Sequence, residues 1–510
     1  MLGPPKVRDL DRPALVSLEA LVPRDHFYRR LDATLDLDSV RDWVRDRYAA
    51  RGRPSIDPVV FFRLQLIMFF EGIRSERQLM AQASLNLAHR WYLGYHLDEP
   101  LPDHSSLTRI RERYGVETFR RFFEAIVERC IVAGLVWREE LYLDATKVDA
   151  NAALGSAAPR FAVEAHLAEL FSGGAAGDAA TAASDGTASD TIAPTPLPVA
   201  TPATVLEEVA DANAARHDWL AATGRPDRTV TRGHYQRRSD YTASRTDPDA
   251  ALMQRRGGGA HFGYHDHYLV DGGKARIILG VLATPADVME NQPALDLIWR
   301  ARSRWRLRPR QVTGDTTYGT LENIVALEDQ GIRAYLPLPD FDSRTELFGK
   351  GAFRYDPERD AYICPRGELL PVNSRTYALR LIRYRAAPDT CNACPLKARC
   401  TTSDRRREIA RNFDEHYLDR VRGYHETEAY RKVMRKRQVW VEPLFAEAKD
   451  WHGLRRFRLR GLKDVNMEAL VKAAGQNLKR LVSWRGWGRR PWPGGAAGLR
   501  LDPDPVGATT

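Results

Sequence analysis

Long apolar runs are missing from this chain of 510 residues. The nearest approach, Val59 to Phe70, is interrupted by Arg63 and Gln65 and is too short to cross a bilayer. No membrane span and no membrane partner are therefore expected. The first residues lack the apolar stretch of a secretory signal, so the expected location is the cytoplasm. Cysteine is scarce: there are 5, and 4 of them fall between Cys364 and Cys400. That count excludes a disulfide framework, and clustering in a chain without export signals points to metal before disulfides. Lysine is scarce as well, 11 of 77 basic residues. This bias explains Arg in place of Lys, but not where the basic residues lie.

Their placement is uneven. The formal net charge is +10, yet Arg431 to Arg490 alone holds 17 Lys/Arg against 5 Asp/Glu. The rest of the chain is slightly acidic. Excess positive charge gathered in one short segment is the electrostatic footprint of a polyanion partner.

From Leu15 to about Trp137 the apolar spacing is helical. Asp57-Pro58 supplies an N-cap followed by Pro at the first helical position, and Gly72 ends that helix. Ser105 to Tyr114 reads as a short helix with Arg109 and Arg113 on one face. These residues fit a helix-turn-helix module and an ordinary bundle with solvated arginines equally well. Leu141-Tyr-Leu opens a strand running to Asp149. Residues 172–203 are Ala, Gly, Ser, Thr, Pro and Asp without Lys or Arg, the composition of a disordered insert, and a weak helix follows from Thr204 to Leu220. Tyr264 to Asp271 alternates, Asp271-Gly-Gly supplies a turn, and Ala275 to Leu282 returns as a second strand. A helix from Asn291 to Arg304, a strand at Gln311 to Asp315, a helix from Leu321 to Gln330 and a strand from Arg333 follow. The expected architecture is an α/β core, a mixed sheet of five strands flanked by helices, with an all-α N-terminal domain. The expected divisions are 1–135 helical and DNA-binding, 136–340 first part of the core, 341–413 a small Cys-containing insertion, 414–484 helical and basic, and 485–510 a frayed tail.

Asp144 and Asp315 each sit at the carboxyl end of an apolar strand, where side chains of an open sheet converge on a crevice. A single aspartate there is usually a turn former or cap; two on neighbouring strands suggest carboxylate oxygens for a hard divalent ion. Glu442 supplies a third carboxylate, and Lys449, two helical turns on, shares its face. Trp440, Phe445 and Trp451 nearby suit either core packing or stacking on an extruded base. Cys364, the Cys391-x2-Cys394 pair and Cys400 admit a structural Zn²⁺ as readily as four free thiols. Cys130 lies on an apolar helix and reads as core.

These blocks, taken in order, resemble bacterial insertion-sequence transposases of the DDE class, over roughly residues 10 to 484. Leu143-Asp144-Ala-Thr-Lys resembles the first-aspartate strand, Thr246-Asp-Pro-Asp-Ala250 with Gly263-Tyr264 the approach to the hairpin, and Gly314-Asp315-Thr-Thr-Tyr318-Gly319 the second-aspartate motif. Val441-Glu442-Pro443-Leu-Phe445 with Lys449 and Arg456 to Gly461 resembles the glutamate block. Gly52-Arg-Pro54 through Arg77, with Asp103-His104-Ser105, resembles the N-terminal transposase domain. The resemblance implies a ribonuclease-H-like core and strand cleavage and strand transfer at terminal inverted repeats. It also implies two Mg²⁺ ions (Mn²⁺ able to substitute) on Asp144, Asp315 and Glu442, with Lys449 on a phosphate. The implied partners are double-stranded DNA and a second copy of the chain in a synaptic complex. Arg109, Arg113, Arg435, Arg437, Arg456, Arg458 and Arg460 are the expected DNA contacts. A non-catalytic DNA-binding derivative and a plain Mg²⁺-dependent nuclease share much of this pattern. One departure stands out: Gln438 occupies the place of an Arg four residues before the glutamate, with Arg437 or Arg435 as substitutes. Pro443 predicts that the helix begins or kinks at Glu442.

Overall fold

The structure, a computed structural model, describes residues 15–49, 51, 55–159, 242–254 and 258–486. The expected insert at 172–203, the helix at 204–220, the Gly52-Arg-Pro54 block and almost all of the tail lie outside the described residues.

The N-terminal part is helical: α1 Leu18–Leu21, α2 Phe27–Thr34, α3 Val40–Val44, α4 Pro58–Phe70, α5 Glu76–Leu85, α6 Leu87–Leu93 and α7 Ser105–Val132. The Asp57 carboxylate accepts the Val59 amide and Pro58 opens α4, which ends before Gly72 at φ 63°. α4 is apolar on every side because it is packed on every side, with Phe61, Phe62, Leu64, Leu66 and Ile67 fully buried. α7 is longer than the sequence suggests but is broken at Gly115, whose φ of 65° and ψ of 171° no helix contains.

The central sheet is built from β1 Glu140–Asp149, β4 Ala251–Gln254, β5 Ala260–Asp271, β6 Ile278–Pro285, β7 Gln311–Thr313 and β8 Arg333–Tyr335; β2 Ala157–Pro159 and β3 Thr242–Ser244 form a separate two-stranded ladder. β5 pairs antiparallel with β1 and β6, while β7 is parallel to both β1 and β8. Helices α8 Ala294–Trp305 and α9 Leu321–Glu328 make the crossovers to β7 and β8. The sheet has six strands where five were expected. The extra one, β4, is four residues in a polar stretch and pairs with the start of β5, beyond the reach of β6.

A second, antiparallel sheet follows, ordered β9 Arg354–Asp356, β10 Ala361–Ile363, β11 Leu369–Thr376, β12 Leu381–Arg385 and β13 Glu408–Asn412, with short helices α10 Pro388–Asn392 and α11 Lys397–Cys400 before its last strand. The chain returns as α12 Glu415–His425, α13 Glu428–Trp440, α14 Glu442–Trp451 and α15 Leu462–Gly486. Within the stretch 414–484, expected to be helical, α13 and α14 are separated by a break at Val441, just before Pro443.

α15 packs against α2, α4, α7 and β6, so one buried cluster unites the N-terminal helices with the central sheet. α15 passes close to α4 at Gly475, where an added Cβ would lie 2.4 Å from the Phe69 ring.

Candidate active site

β1 and β7 run side by side in parallel, with Tyr142 opposite Thr313. Two residues further along each chain come Asp144 and Asp315, both just past the last β1–β7 pair; Asp315 ends its strand as expected, but Asp144 lies in the middle of β1, which continues to Asp149 along β5. Asp144 is buried, its Oδ1 accepts the Ala145 amide at 3.0 Å, and its Oδ2 lies 3.3 Å from Arg437 Nη1. Burial pushes its carboxyl up to about 6; Arg437 and the Ala145 amide oppose the rise, and the charges of Asp315 and Glu442 add to it. Asp315 caps a short turn by accepting the Thr317 amide at 2.8 Å. Gly319 closes that turn with no room for a side chain, because a Cβ there would stand 2.1 Å from the Pro337 carbonyl oxygen.

α14 lies over these strands. Phe445 stacks on Tyr268 with ring centroids 4.4 Å apart, and the Leu444 carbonyl accepts from Gln476 at 2.8 Å. With Leu444, Phe445 and Ala448 turned inward, Glu442 and Lys449 lie along the face toward β1. Glu442 Oε1 is 3.8 Å from Arg437 Nη2, and Lys449 Nζ donates to Thr146 Oγ1 at 2.5 Å, two residues past Asp144. Glu447 turns the other way, to Lys479 at 2.8 Å and Arg480 at 2.9 Å on α15.

A fourth acid approaches the same place. Glu290, in the loop between β6 and α8, feels both Asp315 and Asp144, and burial together with those two charges raises its carboxyl to about 7. Its Oε1 is 3.8 Å from His265 Nε2. Tyr318 is buried beside all three acids with no hydrogen-bond partner on its hydroxyl. Sequence reasoning missed Glu290, which stands alone in a loop with no periodicity and no neighbouring ligand residue to mark it.

The arginines divide by environment. Arg109, Arg113, Arg435, Arg456 and Arg460 are exposed. Arg437 is turned into the acidic site. Arg458 faces inward, 3.0 Å from Glu76, which also holds Arg111. The loop that carries Arg456 and Arg458 is pinned to the end of β1 by main-chain bonds between Asp149 and both Arg455 and Phe457. The Thr246 to Ala250 block serves this loop: Asp247 accepts the Gly461 amide at 3.0 Å and Asp249 the Leu462 amide at 2.7 Å, at the start of α15. Of the aromatics, Phe445 is core, Trp440 donates to the Gly273 carbonyl at 3.0 Å, and Trp451 is exposed.

Among the described residues, no three His, Cys, Asp or Glu side chains already stand together as a metal-ligand set. The donors nevertheless suit a hard cation. They are carboxylate oxygens whose mutual repulsion is relieved here by one guanidinium, that of Arg437 between Asp144 and Glu442. No helix among the described residues is long and apolar enough to cross a membrane.

Two family models match the chain. Residues 16–113 match the Transposase domain (DUF772), and residues 363–482 match the Transposase DDE domain. The second match includes Glu442 and Lys449 but begins beyond Asp144 and Asp315. Neither curated proteins nor solved structures yield a match.

Proposed function

Since this chain is an insertion-sequence transposase of the DDE class, we propose that Asp144, Asp315 and Glu442 are its metal-binding triad and that the Lys449 ammonium holds a phosphate beside them. The strand order β6-β5-β1-β7-β8, antiparallel then parallel, supports a ribonuclease-H-like core for that triad. On this reading, 1–135 and the basic segment after 414 grip double-stranded DNA through the exposed Arg109, Arg113, Arg435, Arg456 and Arg460. The sheet of 341–413 is an insertion between the last core strand and the glutamate helix. Two copies of the chain hold two element ends.

Enzymes of this class normally use a divalent metal, and Mg²⁺, with Mn²⁺ as substitute, suits three carboxylates better than any softer ion. When bound, such ions supply a Lewis acid for the scissile phosphate and ease deprotonation of the attacking hydroxyl. The chain's own residues do the rest. Lys449, fixed to Thr146, offers its ammonium to a non-bridging oxygen two residues from Asp144. The exposed arginines set the duplex by its phosphates. The first attack, by water, frees a 3′ end, and that 3′-hydroxyl then attacks target DNA.

The observation that carries this reading is the convergence of three carboxylates from β1, the β7 end and the start of α14. Its test is cleavage of a duplex carrying the element's terminal repeat. Asp144→Asn and Asp315→Asn should each bind the end as wild type does and fail to cut it in Mg²⁺. Wild-type cutting by either variant would refute the assignment.

A further inference from the structure

The small sheet β9–β13 has little to hold it together. Its separate core contains seven buried residues, and one of them is Cys391. Cys364 and Cys400 pack against that same cluster. A core of this size commonly needs a staple.

The four cysteines of this region come from three places around that one cluster, near enough to influence one another but not yet gathered as a ligand set. Cys364 opens a tight turn after β10: its amide donates to the Glu368 carbonyl at 2.9 Å, its carbonyl accepts from Gly367 at 2.8 Å, and Gly367 has a φ of 92°. Cys391 and Cys394 form a second turn at the end of α10, with the Cys394 amide donating to the Cys391 carbonyl at 3.4 Å. Cys400 ends α11. All of the other three bear electrostatically on Cys400, and no disulfide joins any of them.

Burial, with the three neighbouring thiols, raises the Cys400 thiol, and Arg407 opposes the rise. The Arg407 amide donates to Cys391 Sγ at 3.3 Å, and its guanidinium donates to the Cys400 carbonyl at 3.0 Å and the Phe348 carbonyl at 2.9 Å. A backbone N–H aimed at sulfur and a fixed cation beside the group are what a cluster of ligating thiolates requires.

We propose that Cys364, Cys391, Cys394 and Cys400 bind one structural Zn²⁺ that clamps the two turns and α11 onto the β9–β13 sheet. The four thiols release their protons to solvent on binding and close to tetrahedral geometry by side-chain rotation. The site lies apart from the carboxylates and does not depend on their assignment. Cys130, buried on α7, takes no part.

The test uses the full chain, purified without added metal. Elemental analysis should find about one zinc per chain. In Cys130→Ser, which removes the one buried thiol outside the group, the remaining four thiols should resist a thiol reagent until a mercurial releases the zinc to a colorimetric chelator. Cys391→Ser with Cys394→Ser should lose the zinc, whereas Cys130→Ser and Asp144→Asn should keep it. If the double variant does not fold, release from the wild-type chain still decides. Less than a tenth of a zinc with the four clustered thiols freely reactive would overturn the proposal, as would a disulfide in the group or iron with visible absorbance.

Discussion

Glu442 and Glu447 lie five residues apart on α14, about 140° around the helix, so a single carboxylate of the two can face β1. The structure gives them opposite surroundings. The Glu442 side chain is 56% exposed, and its nearest cation is Arg437 at 3.8 Å. Glu447 is 17% exposed and sits among Lys479, Arg480 and His452, which outweigh its burial and hold its carboxyl well below the usual glutamate range. Substitution by Gln should therefore separate stability from chemistry. Glu442→Gln removes one long, solvent-screened contact and should cost about 0.5 kcal/mol or less. Glu447→Gln removes one side of a partly buried network tying α14 to α15. Its cost falls between that of exposed and fully buried pairs, about 1–3 kcal/mol. Activity should show the reverse order. Single-turnover cleavage of an end-bearing duplex in Mg²⁺ should fall about a thousandfold or more for Glu442→Gln, equivalent to ~4 kcal/mol of transition-state stabilisation. Glu447→Gln, assayed well below its melting temperature, should keep most of its rate. Glu290→Gln belongs in the same series, because Glu290 also feels both aspartates. If Glu442→Gln still cuts and Glu290→Gln does not, the third ligand comes from the β6–α8 loop and the assignment of Glu442 is wrong.

Acid should find the two buried histidines of β5, His265 and His267. Burial, with His265 beside it, lowers the His267 imidazole to about 3. The folded protein keeps it neutral while the unfolded chain takes up a proton below about 6.5. Stability should therefore fall as pH drops from about 6.5 toward 3, by about 1 kcal/mol per pH unit from this group, and denaturant melts of His267→Asn should lose that slope. Gly319→Ala should destabilise by about 1–3 kcal/mol, since the added methyl meets a main-chain oxygen that cannot swing away; an unchanged melting midpoint would show that the turn after Asp315 yields. Affinity for duplex DNA should fall steeply with salt, with a log–log slope of about −0.9 per phosphate neutralised, and a flat plot would remove the basic segment from the interface.

Much of this arrangement was legible because it rests on local chemistry. Asp57-Pro58 starts a helix, the Tyr264 to Asp271 alternation makes a strand, and Asp144 and Asp315 end apolar runs that become adjacent parallel strands. The rest depends on where distant segments land. Arg458 reads as one more surface cation in a basic loop, yet Glu76, far away in the chain, takes it inward. The Thr246 to Ala250 block resembles an approach to the hairpin, yet its two aspartates hold the start of α15. Glu290 carries no sequence signal because its meaning comes wholly from the strand ends it meets.

The position of Arg437 shows how such placement overrides helical arithmetic. On one continuous helix Gln438 would lie about 40° from Glu442 and Arg437 about 140° from it, so Arg437 would point away from the carboxylates. The break at Val441 removes that constraint and leaves each helix to be set by its own contacts with the sheet. α13 is fixed by Lys436, which donates to Glu140 at 2.5 Å and to the Gly272 carbonyl at 2.8 Å, and by Trp440 on the Gly273 carbonyl. α14 is fixed separately, by Phe445 on Tyr268 and Lys449 on Thr146. Lys436 reaches Glu140 at the start of β1, and Arg437 reaches Asp144 further along the same strand. The guanidinium thus arrives between Asp144 and Glu442 from a position that a helical wheel rejects. Pro443, which forces the break, is in this sense part of the site although its ring touches none of the carboxylates' chemistry.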